Sequence, residues 1–573
     1  MTIVFRYLKA YRLRAITGIL IKTAATVSEL FLPLILSHIL YDVISRTVFD
    51  IVFWSGMMLL CSIAAWGLNI LANRIAAKVS KDLSDDLRKD LFLAALRLSA
   101  AQTDAFTVPS LEARITTDTY NVHQFVNMIQ RLGVRSPIML LGGIGITLVM
   151  DAKLALVMLA LIPLIGGVIT LIRFCGIPLY QRVQEATDRM ITVVREDVQG
   201  MRVIRALSKT GYERDRYARA NRALVREEIR AGVVMSSINP LMGAFMNLGC
   251  IAVLALGGHF VSRGTSDAET IIAFMQYFTL ISNAMMSVTR FFVMYSKSAA
   301  SAARIGEVLS AVSPLTVKDV SEYPGKETDA HILFDHVSFS YNGRKNNADD
   351  LSFSVSRGEH LGIIGATGSG KSTLLCLLLR FYDADSGAVL IGGRDVRTME
   401  KERLCSMFGT ALQKDFLYAD TVYENIRFGR DIPDGDIRAA ARIAQAEEFI
   451  TAFPEGYSHP LSPRGSNLSG GQRQRLLIAR AIAGNPEILV LDDSFSALDY
   501  KTDAAVRAGL AQSLSGTTVL TVAQRISSVR NCDRILVLDG GRIIGSGTHD
   551  ALLASCPVYR EICDSQTGGA FVD

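Results

Sequence analysis

Six long apolar stretches, roughly residues 15–40, 51–75, 134–150, 154–174, 234–261 and 268–295, fill the first half of the chain. Each is near the ~20 residues that a helix needs to cross ~30 Å of hydrocarbon, so each predicts a membrane-spanning helix. The third and fourth are parted only by a turn around Asp151 and Lys153, which predicts a tight hairpin. The second and third stretches, and again the fourth and fifth, are separated by about sixty residues of charge-rich chain in helical pattern, which predict two long extensions. After the sixth stretch, SKSAASAARIGEVLSAVSP continues as a helix that ends near Pro314, and a polar connector, TVKDVSEYPGKETDA, follows. From about residue 330 short β-rich runs alternate with helical ones, the pattern of an α/β fold. The predicted order is an all-α six-helix transmembrane domain over 1–312, a linker over 313–330 and an α/β domain over 331–573.

Composition and charge sharpen this picture. Half of the 573 residues are apolar, too many for an ordinary soluble protein. Net charge is only +5, and the basic residues lie between apolar runs instead of in one tract, so the partner is a bilayer and not nucleic acid. Cations concentrate at the start of the chain (Arg6, Lys9, Arg12, Arg14) and after the fourth stretch (Arg182, Arg189, Arg195, Arg202, Arg205 and beyond). The opposite connections carry little more than Arg46, Lys153 and Arg263. Positively charged segments stay inside, so both termini, both extensions and the second domain are expected in the cytoplasm of a multi-pass plasma-membrane protein. The eight cysteines show no CxxC pair and no metal-ligand spacing. No small-residue cleavage site follows the first apolar run, so no removable signal peptide is expected.

The second domain carries the chemistry. In HLGIIGATGSGKSTLL, residues 360–375, a buried strand runs into a glycine-rich loop and a helix start. Gly365, Gly368 and Gly370 let the backbone curl with its N–H groups inward, Lys371 offers a cation to terminal phosphates, and Ser372 is placed to ligate Mg²⁺. Ser369 and Thr373 complete this P-loop at a helix N-terminus. Farther on, ILVLDD is a buried-strand run ending in acids, and Asp492 sits where it can hold Mg²⁺ through water. The expected small molecules are ATP and Mg²⁺.

P-loops serve many functions; NLSGGQRQR, residues 467–475, chooses among them. With this element the chain resembles the ATP-binding cassette family over essentially its whole length, as a half-transporter of the exporter type. The resemblance implies that two cassettes close head to tail, so that Ser469, Gly470, Gly471 and Gln472 act in trans on nucleotide held by a second half-transporter. It implies further that Tyr341 stacks on adenine, that Gln413 senses Mg²⁺ and touches the membrane domain, and that Asp499 lies in the loop crossing to the other cassette. Stretches near 108–115 and 208–216 correspond to the coupling helices at the tips of the extensions.

Three positions depart from the family pattern. Asp493 stands where the family has the glutamate that polarises the attacking water; it is shorter by one carbon–carbon bond, ~1.5 Å. Gln524 stands where the family has the switch histidine, and an amide carries no titratable charge. Pro463 replaces a glutamate before the signature. With the other nucleotide elements intact, the expectation is a chain that binds ATP and cleaves it poorly at its own P-loop, as in the degenerate subunit of heterodimeric multidrug exporters.

In the membrane half, Lys22, Glu29, Asn239, Pro240 and Arg290 are candidate translocation-path residues, since charge and kinks within a span commonly face a cavity. Met285, Met286, Phe291 and Phe292 suit a small hydrophobic or amphipathic substrate, such as a drug, lipid or peptide, or equally a packed core. Two alternatives accompany export: a siderophore importer built on the exporter fold, and a membrane-tethered ATP-binding regulatory subunit without net transport.

Overall fold

A computed structural model describes residues 1–573 apart from 46–47, 172–173, 175–176, 264–266, 414 and 568–573. Side chains at further positions in the membrane segments, among them Asn239 and Phe292, lie outside the described set, as does Arg46. Internal contacts divide the chain into two units, residues 1–97 with 106–311, and residues 98–105 with 312–573.

The described residues of the first unit are helical apart from short turns. Its helices are α1 (Thr2–Ala10), α2 (Arg12–Ser45), α3 (Val48–Leu96), α4 (Ala100–Phe106, largely counted with the second unit), α5 (Val108–Ala113), α6 (Thr119–Met150), α7 (Ala152–Leu171), α8 (Ile177–Ala206), α9 (Thr210–Ser236), α10 (Ile238–Ser262) and α11 (Ala268–Leu309). Among the described residues four segments are long and apolar enough to cross a membrane: Arg12–Leu40, Val48–Leu96, Val108–Met150 and Gly243–Ser262. The fourth and sixth predicted spans fall on α7 and α11, both helical. Asp151 makes the predicted hairpin by capping α7, its Oδ1 accepting from the Lys153 and Leu154 N–H groups.

Beyond the predicted spans the extensions have a core of their own. Leu83, Leu87 and Leu91, four apart and therefore on one face of α3, bury against Val122 and Val126 of α6 and Ile305 and Val308 of α11. The start of the chain, from α1 into α2, is fastened to the same segment by a ladder: Tyr7 donates to Asp90, Tyr11 to Asp86 and Arg14 to Asp82.

The first expected coupling stretch, 108–115, falls on a short helix and the start of an irregular turn. Thr107 takes a positive φ of 60° and Pro109 opens α5, so the chain breaks after α4. Residues 108–118 then run through a π-turn, Arg114–Asp118, whose charged side chains are buried. Asp118 accepts from Ser301 and Arg304, and Arg114 donates to the Arg304 carbonyl and pairs with Glu307. Arg114 is thus held inside the first unit, whereas Val108 and Glu112 of the same stretch are exposed; residues 98–105 are counted with the second unit. The other expected stretch, 208–216, begins in the turn between α8 and α9.

Among its described residues the second unit has ten strands: β1 (Ile332–Phe339), β2 (Ala348–Val355), β3 (His360–Gly365), β4 (Ser386–Ile391), β5 (Arg394–Asp395), β6 (Phe408–Ala411), β7 (Ile488–Asp492), β8 (Thr518–Ala523), β9 (Arg534–Asp539) and β10 (Arg542–Gly547). An antiparallel sheet runs β2-β1-β4-β5. The second sheet runs β10-β9-β3-β8-β7-β6, parallel from β9 to β6. β7 and β8 are buried at every position and β3 at all but its first, as parallel strands covered on both faces must be.

Candidate functional site

Sheet order assembles the site. The adjacent strands β3, β8, β7 and β6 are parallel, so their carboxyl ends lie along one edge. The P-loop follows β3, Gln524 follows β8, Asp492 and Asp493 end and follow β7, and Gln413 follows β6. Register keeps these ends level, Ile364 opposite Ala523 and Val522 opposite Asp492. Ligands of open α/β sheets bind at this end.

The P-loop is built around its glycines. Gly368 and Gly370 have φ of 85° and 101°, backbone that L side chains avoid. A Cβ on Gly370 would stand 2.7 Å from the Asn347 carbonyl oxygen, and one on Gly365 2.2 Å from that of Leu538. α12 (Lys371–Leu378) starts directly after, with its unpaired N–H groups at the loop. The Lys371 ammonium folds back on the loop, donating to the carbonyls of Gly365 and Ala366 at 2.7 and 2.8 Å. Burial lowers its pKa, and the charges of Asp492 and Asp493 oppose that shift. Ser369 and Thr373 are buried, whereas Ser372 is exposed.

Asp492 is buried, and burial, reinforced by the neighbouring charge of Asp493, pushes its pKa up; a bond from the Gln413 backbone N–H and the Lys371 charge pull the other way. A carboxylate held at that cost is one that a bound cation would relieve. The backbone cradle, the ammonium and the oxygens of Ser372, Gln413 and Asp492 therefore fit a nucleotide triphosphate with Mg²⁺, which when bound would offset charge on the terminal phosphates. Asp493 adopts φ of 52°, a left-handed conformation that aspartate tolerates better than most residues. Its N–H donates to the Val522 carbonyl at 2.8 Å and its carbonyl accepts from Ser496 Oγ at 2.9 Å, so its backbone is fixed.

Two holding residues escaped sequence reading. Gln474, in the signature stretch itself, donates from Nε2 to the Asp493 carbonyl at 3.3 Å. Gln566, on the terminal helix Pro557–Thr567, donates to the Gln524 carbonyl at 2.8 Å and accepts from the Ile526 N–H at 2.9 Å. The first lay within a recognised motif. Nothing in the sequence around the second marks it.

The signature opens the helix Gly470–Ile482 through a capping box: Ser469 Oγ accepts from the Gln472 N–H, and Gln472 Oε1 accepts from the Ser469 N–H. A Cβ on Gly471 would come within 3.3 Å of the Ala497 carbonyl, so glycine keeps this helix end close to the 497–499 loop. Asp499 caps the next helix, Tyr500–Ser513, and the Thr502 bonds lower its pKa. Among the described residues Ser469 shares no hydrogen bond with the P-loop of its own chain.

Tyr341, just past β1, stands edge-on to Phe339 and to Tyr382, with centroids 4.9 and 5.1 Å apart. Tyr382 in turn donates to Asp104 at 2.7 Å, within the second unit. The aromatic wall is therefore tied to segment 98–105.

Fold and site define a P-loop nucleotide-binding ATPase domain joined in one chain to a membrane domain. Residues 15–285 match the ABC transporter transmembrane region and residues 348–496 match the ABC transporter family. An ABC transporter ATP-binding protein of Mycobacterium tuberculosis is 33% identical over 99% of this chain and 98% of its own length. YfiB of Bacillus subtilis, also an ABC transporter ATP-binding protein, is 33% identical over 98% of each. A multidrug efflux ATP-binding/permease protein of Mycobacterium tuberculosis is 31% identical over 97% of this chain and 46% of its own. The fold resembles that of a bacterial Atm1-family ABC exporter solved with ATP bound, with TM-score 0.79, 24% identity and 99% of both chains covered. The chain belongs to the ABC transporter family: it is a multi-pass membrane protein with one membrane region and one cassette.

Proposed function

We propose that this chain is the degenerate half of a heterodimeric exporter of hydrophobic or amphipathic compounds. The observation that carries the reading is the pairing of an intact P-loop, Asp492 and signature with Asp493 and Gln524 at the two catalytic positions. A displacement of ~1 Å at a reacting group costs ~10²-fold in rate, so the shorter acid leaves the attacking water poorly positioned. In this proposal Tyr341, Gly365, Gly368, Ser369, Gly370, Lys371, Ser372 and Thr373 hold ATP, while Asp492 and Gln413 hold Mg²⁺ with Ser372. Ser469, Gly470, Gly471 and Gln472, with Asp499 nearby, serve the other chain's nucleotide. The cassette and both termini are cytoplasmic.

A second half is supported by α8 and α9. They pair with each other and leave Val194, Val198, Val225 and Ile229 outward at helical spacing, Val198 and Ile229 being 65% and 61% exposed. These positions lie outside the predicted spans, where exposed apolar stripes call for a protein partner. The 31% identical multidrug efflux relative favours export of amphipathic compounds over import or pure regulation.

The test is steady-state ATP hydrolysis by the full chain paired with a second half-transporter whose own catalytic acid has been neutralised, before and after Asp493→Glu with Gln524→His. The expected result is slow turnover that rises at least about tenfold on double restoration. Brisk turnover by the unaltered chain would overturn the reading.

A further inference from the structure

Lys22 and Glu29, singled out by sequence, belong to a larger wired group at the meeting of α2, α3 and α6. Arg131 Nε donates to Asn73 Oδ1 at 3.1 Å, and Lys22 Nζ donates to Asn73 Oδ1 at 3.5 Å and to Asn69 Oδ1 at 2.6 Å. Asn69 Nδ2 donates to Glu29 Oε1 at 2.6 Å. Arg135 Nε and Nη2 both donate to Glu29 Oε2, at 3.1 and 2.8 Å. The chain Arg131–Asn73–Lys22–Asn69–Glu29–Arg135 thus holds three cations against one carboxylate.

It lies at the cytoplasmic half of the predicted spans and extends ~10 Å along α2, from Lys22 to Glu29. Lys22 is buried, but the Arg135 side chain is 43% exposed, Arg131 is exposed, and Glu29 Oε2 takes both Arg135 donors. Arg135 Nη1 has no partner among the described residues. Phe291 of α11 packs beside Gly133, between the two arginines, which sets Arg290 at the same level.

Unbalanced positive charge at this depth is costly in hydrocarbon and is stable where it meets water or an anion. The asparagines order the cations without neutralising them, and guanidinium forks suit carboxylate, sulfonate and phosphate.

Resting on the transport reading, we propose that this group is a binding site for the acidic headgroup of an amphipathic anion, either a cargo molecule or an anionic lipid, at the level of the inner leaflet. Glu29 is its internal competitor, occupying Arg135 until the anion arrives.

The experiment is equilibrium binding of radiolabelled taurocholate, an amphipathic sulfonate, to the full chain in phosphatidylcholine nanodiscs, with tetraphenylphosphonium as the cationic control. Saturable taurocholate binding is expected, weakened about tenfold or more in the Arg131→Gln/Arg135→Gln variant and tightened in Glu29→Gln. Discs containing phosphatidylglycerol separate the sources: weakened taurocholate binding there assigns the site to lipid headgroups, and unchanged binding assigns it to cargo. Equal taurocholate affinity in wild type and in both variants overturns the proposal, as does a parallel loss of tetraphenylphosphonium binding. Because binding is read without nucleotide, taurocholate binding without any ATP-driven movement would count against the transport reading and leave the site standing.

Discussion

Asp492 and Asp493 are neighbours with different burdens. Asp492 closes a fully buried strand, and its raised pKa means that the ionised form is held at a cost in the nucleotide-free protein. The sign follows directly: a carboxyl whose folded pKa exceeds its unfolded one takes up a proton on folding, so the penalty applies above the folded pKa and fades as pH falls through it. Asp492→Asn should therefore raise the melting temperature of the nucleotide-free chain at neutral pH and flatten this pH slope, while abolishing Mg²⁺-dependent ATP binding. Calorimetry with and without Mg-ATP checks both. A variant less stable without nucleotide would contradict the assignment of strain to this carboxylate. Lys371→Ala should instead remove ATP binding whether or not Mg²⁺ is present, as read by nucleotide filter binding.

The loop after β8, which carries Gln524, shows how an element is held by residues that its own motif omits. Gln566 clamps it from the terminal helix with two hydrogen bonds, each worth about 0.5–1.5 kcal/mol. Gln566→Ala should cost about 1 kcal/mol of cassette stability and speed amide exchange at Ile526, with ATP affinity retained. Unchanged exchange there would show that the clamp does not restrain the loop. The motif-bearing elements were legible because buried parallel strands read as unbroken apolar runs that lead into glycine or paired acids. The Gln566 clamp was not, since it spans 40 residues and rests on an ordinary glutamine. The π-turn was illegible for a related reason: Arg114 and Asp118 look like solvated charges until residues 304 and 307 arrive to neutralise them.

On the scale of the whole molecule, the signature helix caps itself and offers its N-terminus elsewhere, while the exposed stripe on α8 and α9 asks for another chain. Neither site of nucleotide cleavage is complete within one polypeptide in this account. Placing Ser469→Cys and Ala366→Cys together in a chain stripped of its other thiols should give no ATP-dependent self-crosslink, and should give one with a partner carrying the same pair. Efficient self-crosslinking would make the chain a homodimer. That the chain joins one membrane region to one cassette was legible from the motif inventory; what it pairs with was not, because no residue here records it.

The most direct measurement is the state of the nucleotide itself. The purified full chain, loaded with radiolabelled Mg-ATP and separated from free nucleotide, should retain triphosphate for many minutes. Recovery of bound diphosphate within seconds would contradict the account, because the P-loop of this chain would then be cleaving what it is proposed only to hold.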